Sequence, residues 1–210
     1  MKRILIVDDH EVLREGVKRI FDKEAGATTF GDANTGQEAL TLAREADWDI
    51  VVLDLSLGSR SGLEVLRELK QIRPRLPVLI LSMHTEVQFA RRAFKAGASG
   101  YITKDSPRSE LTKAINEVID EGTYITPALA RKLVVDIGRG ADGPPHEALS
   151  DREFEVMRLI GSGKTVGEIA RLLSLSESTI STYRARILEK MAMKTNAELT
   201  YYAIQSKLVN

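Results

Sequence analysis

The chain has 210 residues, enough for one large domain or two small ones. Its 30 basic and 30 acidic residues cancel, so any attraction to nucleic acid or membrane must be local. The absence of cysteine excludes disulfide frameworks, thiolate nucleophiles and cysteine-ligated metal clusters. The three histidines, His10, His84 and His146, are too widely spaced to suggest a metal cluster. The longest uncharged apolar run, 76–83, is too short to cross a bilayer, so we expect a soluble cytoplasmic protein without a membrane partner.

Short β-branched and apolar runs alternate with amphipathic segments over the first 122 residues. The predicted strands are 4–7, 28–30, 50–55, 78–82 and 100–103. Three of these runs are continuously apolar at their start, as strands buried on both faces of a parallel sheet tend to be. Helical periodicity lies between them, for example at Leu13, Val17 and Ile20. The alternation predicts an α/β domain with a five-stranded, doubly wound parallel sheet.

A change of composition follows. Thr126 and Pro127 favour the start of a short helix that runs to residue 137. Residues 138–145 then contain three glycines and two prolines, which is typical of a linker. Beyond residue 149 the predicted elements are all helices, at 151–162, 166–173, 177–191 and 197–207. We therefore predict an α/β domain over 1–122, a linker with a short helix over 123–146, and a smaller all-α domain over 147–210.

Acidic residues fall at the carboxyl ends of the predicted strands, where open parallel sheets bind their ligands. Asp8 and Asp9 follow the first strand, and Asp54 lies near the end of the third. Converging carboxylates repel one another unless a hard cation such as Mg²⁺ neutralises them. One of them could then attack a phosphoryl donor, with Lys104 neutralising the developing charge and Ser82 donating a hydrogen bond. Each residue alone has an ordinary alternative, because strand-end aspartates often cap helices and lone lysines are usually solvated.

The segments 4–9, 50–55, 78–82 and 101–104 resemble the receiver domain of two-component response regulators, which has a flavodoxin-like fold. The resemblance covers the whole first domain and implies one role for each landmark residue. The implied phosphoacceptor is Asp54, the metal ligands for Mg²⁺ are Asp8, Asp9, Asp54 and the backbone carbonyl of Ser56, the switch pair is Ser82 and Tyr101, and the phosphate-binding lysine is Lys104. An ordinary half-buried aromatic is the alternative for Tyr101.

The segment 166–191 has the pattern of a helix-turn-helix. Ile169 and Ala170 contribute to an apolar face on the first helix, and hydroxyl residues open the second. Short hydroxyl side chains followed by arginines suit a helix that enters the major groove of DNA. The predicted DNA-binding residues are Ser178, Thr179, Ser181, Thr182, Tyr183, Arg184, Arg186 and Lys190. Charge gives little support, since residues 147–210 carry nine basic and eight acidic side chains.

The stretch 149–191 resembles the LuxR-type helix-turn-helix in its Leu-Ser-x-Arg-Glu opening and in Thr179-Ile180 and Lys190. It departs at Ser181 and Tyr183, where many relatives carry lysine and histidine. With the receiver, the whole chain looks like a response regulator of the NarL/FixJ type. The last helix either completes the core or, as the resemblance implies, forms a dimer contact between DNA-binding domains.

The resemblance implies a phosphorylation-controlled transcription regulator that is not an enzyme beyond self-catalysed gain and loss of its phosphoryl group. Its implied partners are a sensor histidine kinase, double-stranded DNA with paired half-sites, and a second copy of the chain. A haloacid-dehalogenase-like phosphatase is an alternative, but that chemistry needs a second aspartate where Ser56 stands. A third reading makes the helical domain a protein-binding module, which a weak dependence of affinity on salt would reveal.

Overall fold

The computed structural model describes residues 1–21, 27–58, 60–83, 87–137 and 144–209. The chain divides into two compact units, Met1–Ile137 and Gly138–Asn210. Most of the predicted glycine- and proline-rich segment, 138–143, lies outside the described residues, as does His84. No helix in the described ranges is both long and apolar enough to span a bilayer.

The first unit alternates strands and helices. Its elements are β1 Lys2–Val7, α1 Glu11–Phe21, β2 Thr28–Ala33, α2 Gly36–Glu45, β3 Ile50–Leu53, β4 Ser56–Leu57, β5 Arg60–Ser61, α3 Gly62–Ile72, β6 Val78–Ser82, α4 Val87–Lys95, β7 Gly100–Thr103, α5 Arg108–Glu121 and α6 Pro127–Ile137. Five of the strands form one sheet in the order β2-β1-β3-β6-β7, and all their pairings are parallel. The predicted five-stranded doubly wound sheet is confirmed.

The apolar strands of the sheet are buried on both faces. One set of alternate residues, including Ile4, Val52 and Leu79, packs with the buried faces of α1 and α5. The intervening residues, such as Leu5 and Leu53, are also fully buried and point to the opposite face because side chains alternate along a strand. This double burial explains why these strands read as continuous apolar runs rather than alternating ones.

The third strand is shorter than predicted. It ends at Leu53, and the chain then forms a small antiparallel hairpin, β4 with β5, that the sequence did not predict. Gly58 takes a left-handed φ of 55° beside β4. At Gly62 a Cβ atom would lie 2.2 Å from the carbonyl oxygen of Asp54, so the chain can return this closely only at a glycine. The hairpin fixes the segment that immediately follows Asp54.

The helix α6 belongs to the first compact unit and contacts α4. Tyr124, just before it, forms a single parallel bridge to Gly100 on the edge strand β7. Its hydroxyl donates to Glu110 Oε1 at 3.2 Å. Burial, and then the charges of Glu110 and Glu117, raise the pKa of Tyr124 to about 12. The structure thus groups this helix with the sheet, whereas the sequence analysis assigned it to the linker; the predicted boundaries at 122 and 146 stay a prediction.

The second unit is helical throughout its described part. A short 3-10 helix, Pro145–Ala148, precedes α7 Asp151–Gly161, α8 Val166–Leu172, α9 Glu177–Lys190 and α10 Asn196–Gln205. Each of the four α-helices begins at a hydroxyl residue whose oxygen accepts from the backbone N–H three residues later. The four predicted helices are therefore found, with ends that differ by one or two residues.

A small apolar core joins these helices. Phe154 of α7, Ile169 of α8, Ile180 of α9 and Leu199 of α10 are all fully buried, and α7 contacts each of the other three helices. The last helix thus contributes to the core through Leu199. Its role in a dimer stays a prediction.

Candidate functional site

Two carboxylates lie side by side at one edge of the sheet. Asp8 and Asp54 directly follow Val7 and Leu53, which are register partners in β1 and β3. The backbone N–H of Asp54 donates to the Val7 carbonyl at 2.9 Å, which fixes the main chain at this edge. Asp8 is only 1% exposed and Asp54 only 2%. Two neighbouring carboxylates that are buried from water require a positively charged partner.

Lys104 supplies that partner from the end of β7. Its backbone N–H donates to the carbonyl of Ser82, the last residue of β6, at 2.8 Å. Its ammonium nitrogen Nζ lies 2.7 Å from Asp8 Oδ2 and 2.7 Å from Asp54 Oδ2. Only 8% of the Lys104 side chain is exposed. Residues 8, 54 and 104 are far apart in sequence and meet because four parallel strands end at the same edge.

The electrostatics of this group have a clear direction. Burial raises the pKa of Asp54 above its usual value, and Lys104 opposes this shift. Burial alone would lower the pKa of Lys104, but Asp54 and Asp8 outweigh it and hold that pKa above its usual value. The lysine is therefore charged at neutral pH, and its ammonium lies between two buried aspartate side chains.

The carboxylates also form a candidate metal centre. Ligand atoms of Asp8, Asp9, His10 and Asp54 all lie within 4.8 Å of one another. The second oxygen of Asp54, Oδ1, is buried and accepts no hydrogen bond from a described residue. A buried oxygen without a donor, among several carboxylates, is suited to a hard divalent cation. The predicted convergence of Asp8, Asp9 and Asp54 is therefore present in the structure.

His10 is the residue that the sequence analysis missed. Its Nδ1 lies 2.7 Å from Asp9 Oδ1 and 3.2 Å from Asp8 Oδ1, while its side chain is 69% exposed. The signal in the sequence is its position immediately after the two aspartates. The imidazole packs at the solvent side of the carboxylates.

The predicted switch residues lie on the two strands nearest Lys104. Ser82 is fully buried at the end of β6, and Tyr101 is 2% exposed on β7. Tyr101 pairs with Ile80, and Ser82 pairs with Thr103, so Ser82 and Tyr101 lie diagonally on the same face of the sheet. Ser56 opens the hairpin two residues after Asp54, and its backbone N–H acts with Lys104 to oppose the raised pKa of Asp54.

The second candidate site is the exposed side of α9. The hydroxyl of Ser176 caps the helix by accepting from the Thr179 N–H at 3.1 Å. The exposed positions among the predicted DNA-binding residues are Ser178, Ser181, Thr182, Arg186 and Lys190, whereas Thr179, Tyr183 and Arg184 are half-buried. The hydroxyl groups lie at the start of the helix and the charged groups lie one to three turns later.

Two of the three cations on α9 have partners inside the second unit. Arg184 Nε donates to Asn196 Oδ1, on α10, at 2.6 Å. Lys190 Nζ donates to Glu153 Oε2, on α7, at 2.6 Å. The Glu153 side chain is 3% exposed and its Oε2 also accepts from the N–H of Ser150 at 2.7 Å. These contacts hold α9 against its neighbours.

A buried acidic group with a lysine at the carboxyl edge of a doubly wound sheet, followed by a helix-turn-helix unit, defines a receiver joined to a DNA-binding domain. Residues 4–116 match the response regulator receiver domain, and residues 147–203 match the luxR family of bacterial regulatory proteins. The chain therefore belongs to the two-component response regulators of the NarL/FixJ type, which are transcription regulators with a LuxR-type DNA-binding domain.

Relatives match over the full length. The chain is 35% identical to the response regulator GacA of Pseudomonas protegens over 210 residues, covering 100% of this chain and 99% of that protein. It is 33% identical to the response regulator UvrY of Escherichia coli K12, covering 100% and 97%. A LuxR-family response regulator from Aurantimonas sp. SI85-9A1 aligns with a TM-score of 0.61 at 37% identity, over 65% of this chain and 98% of that one.

A second solved structure shows the shared fold. RcsB of Salmonella enterica serovar Typhimurium, solved bound to a promoter, aligns with a TM-score of 0.63 at 22% identity, covering 96% of this chain and 97% of RcsB.

Proposed function

We propose that this protein is switched by phosphorylation of Asp54 and that the switch controls its binding to DNA. The observation that carries the proposal is the buried Asp54 carboxylate held 2.7 Å from the Lys104 ammonium. A structural ion pair alone would satisfy both charges. Here, however, Asp8 shares the same ammonium, and Asp54 Oδ1 is buried with no donor among the described residues.

The chemistry follows from the arrangement. An oxygen of Asp54 attacks the phosphorus of a phosphohistidine or of a small donor such as acetyl phosphate. A carboxylate oxygen–phosphorus bond forms, and the bond between phosphorus and the donor atom breaks, releasing histidine or acetate. Lys104 is placed to move from the carboxylates to an oxygen of the transferred group, where it neutralises charge. The product is an acyl phosphate on the protein itself, so the protein does not transfer the group to a separate acceptor molecule.

The residues present fit Mg²⁺. Asp8, Asp9 and Asp54 provide hard oxygen ligands within reach of one ion, and we propose the Ser56 carbonyl as a further ligand. When bound, Mg²⁺ would offset the negative charge of the carboxylates and of the transferred group. Nothing in this chemistry needs His10, whose nitrogen is a weaker ligand for magnesium than a carboxylate oxygen.

Ser82 and Tyr101 are the proposed means of transmission. A phosphoryl group on Asp54 adds acceptor oxygens at the edge where Ser82 ends β6, and a hydroxyl there is suited to donate to one of them. Tyr101 lies diagonal to Ser82 on the same face of the sheet. An inward shift of Ser82 would leave space that the Tyr101 ring fills, which would repack the surface around β7.

The proposed result of this change is that two copies of the chain bind DNA as a dimer, each through its helix α9. We propose that phosphorylation by a sensor histidine kinase favours pairing of two copies on paired half-sites about one helical turn apart. Two linked domains gain affinity through effective concentration even when each domain binds weakly. RcsB, which shares the fold, was solved on a promoter in the presence of the phosphoryl mimic beryllium fluoride.

The first test is phosphorylation with acetyl phosphate and Mg²⁺, read by intact-protein mass spectrometry. The wild-type chain should gain one phosphoryl group that alkali removes, and Asp54→Asn should gain none. Asp105→Asn, which changes an exposed carboxylate close to the site in sequence, is the matched control and should react like wild type. Phosphorylation that survives Asp54→Asn would refute the proposal.

A further inference from the structure

The three cations of α9 are not equivalent, although the sequence analysis grouped them as DNA-binding residues. Arg184 donates to Asn196 at 2.6 Å and Lys190 donates to Glu153 at 2.6 Å. Arg186 is exposed, and within the described parts of the chain no acceptor or carboxylate engages it. We propose that Arg186 makes the charged contact of α9 with DNA, and that Arg184 and Lys190 are positioning residues that hold the helix. The inference rests on the proposed DNA-binding function.

Helix geometry separates the three side chains. Successive residues of an α-helix are rotated by about 100°, so Arg186, four residues after Thr182, lies only about 40° from it. Arg184, two residues after Thr182, lies about 160° away, on the side that faces α10. The exposed stripe with Ser178 and Thr182 near its start therefore runs on to Arg186 and not to Arg184.

Lys190 lies at the C-terminal end of the helix, and its partner Glu153 is a buried carboxylate. Glu153 is nearly inaccessible, and its other hydrogen bonds come from the first turn of α7. If the lysine turned to a phosphate, a buried carboxylate would lose its only cationic partner among the described residues. Its ammonium is therefore committed to the fold.

The exposed stripe is otherwise poor in positive charge. Before Arg186 it carries hydroxyls at Ser178, Ser181 and Thr182 and a methyl at Ala185, and after it comes Glu189. Hydroxyl and methyl groups can read base edges but supply no charge to a phosphate or to guanine. Arginine at the next turn provides five donors and a permanent charge. Most of the electrostatic contribution of this helix should then depend on one side chain.

The test compares the full-length variants Arg186→Gln, Arg184→Gln and Lys190→Gln on one duplex. That duplex is selected by the wild-type chain from a random DNA pool in the presence of Mg²⁺ and beryllium fluoride. Fluorescence anisotropy gives affinity as a function of salt, and thermal unfolding gives stability. Arg186→Gln should bind roughly tenfold more weakly, with unchanged thermal stability and a salt slope reduced by about one. Arg186→Lys should restore part of the affinity.

The other two variants should show the opposite pattern. Lys190→Gln should lower the unfolding temperature while its salt slope stays that of wild type below that temperature, and Lys190→Arg should restore stability. Arg184→Gln should also leave the salt slope unchanged. The inference is overturned if Arg186→Gln binds within twofold of wild type, or if the reduced slope follows Arg184 or Lys190. If the wild-type chain selects no duplex, the proposed DNA function itself fails, which is a distinct result.

Discussion

The two candidate sites of this protein are built in opposite ways. At the sheet edge, Asp8, Asp54 and Lys104 are buried, and the lysine ammonium lies 2.7 Å from each carboxylate. On α9, the groups proposed to meet DNA are exposed, mostly uncharged and carried by one helix. The first site places three charged side chains close together and away from water. The second site is a solvent-exposed surface, and we propose that its groups form their main interactions only when DNA is bound.

This difference sets what each site can do. A buried group of charges responds strongly to an added phosphoryl group, because the low local dielectric magnifies every interaction there. An exposed helix with little net charge gains less from such interactions, and we propose that α9 binds DNA through hydrogen bonds together with the single charge of Arg186. The buried environment therefore favours the proposed phosphorylation switch at the sheet edge, and the exposed environment favours the proposed DNA binding by α9.

The largest effect should follow from removing the central cation. Lys104→Met leaves Asp8 and Asp54 buried without their shared partner, so the free energy of unfolding without Mg²⁺ should fall by about 3–5 kcal/mol. Urea denaturation measures it. Lys113→Met, which breaks an exposed pair with Glu117, is the control and should cost less than about 1 kcal/mol. If both variants lost the same free energy of unfolding, the burial of Lys104 would not matter for stability, which would contradict this account.

A smaller gain should come from Mg²⁺. At a concentration one hundred times its dissociation constant, the ion should raise the free energy of unfolding by about 2.7 kcal/mol. Thermal unfolding with Mg²⁺ and with EDTA measures the change. Asp9→Asn should remove most of it, and Asp105→Asn should keep it. A shift of the same size in both variants would place the metal elsewhere.

In the second unit, Lys190→Gln should lower stability by roughly 2 kcal/mol, because buried Glu153 loses a hydrogen-bonded cation. Burial opposes ionisation of Glu153, but the bonds from Lys190 and Ser150 outweigh it and hold its pKa below the usual value. A lowered pKa in the folded state stabilises the protein above the unfolded-state pKa, and this stabilisation is lost as pH falls through the folded-state pKa.

The difference in stability between wild type and Lys190→Gln should therefore shrink on acidification. Urea titrations near neutrality and in acid measure it. Lys194→Gln, a change of an exposed lysine close by, should show no such pH dependence. A gap that widened in acid would contradict the ion pair.

The smallest effect should be at the N-terminus of α9. Ser176→Ala removes the hydroxyl that accepts from Thr179 and should lower the free energy of unfolding by about 1 kcal/mol. Ser181→Ala, an exposed change on the same helix, should stay within about 0.5 kcal/mol of wild type. Equal losses in the two variants, read by urea denaturation, would argue against the cap.

Sequence reasoning succeeded where a local pattern determines the result. Apolar runs identified the strands of the sheet, and because parallel strands end at one edge, the convergence of Asp8, Asp54 and Lys104 follows from the strand pattern alone. It failed at the hairpin after Asp54, whose four strand residues give no periodic signal and which depends on the close return of Gly62. Sequence reasoning also could not tell which cations of α9 are paired within the second unit, since their partners Glu153 and Asn196 lie on other helices.

The most direct test of the switch is the affinity of the full-length chain for its selected duplex with and without beryllium fluoride in Mg²⁺. The account predicts a duplex with two-fold symmetric half-sites whose affinity rises at least about tenfold with the mimic, a coupling of roughly 1.4 kcal/mol. Asp54→Asn should show no rise. Equal wild-type affinity in both conditions, or a rise that persists in Asp54→Asn, would contradict control of DNA binding through Asp54.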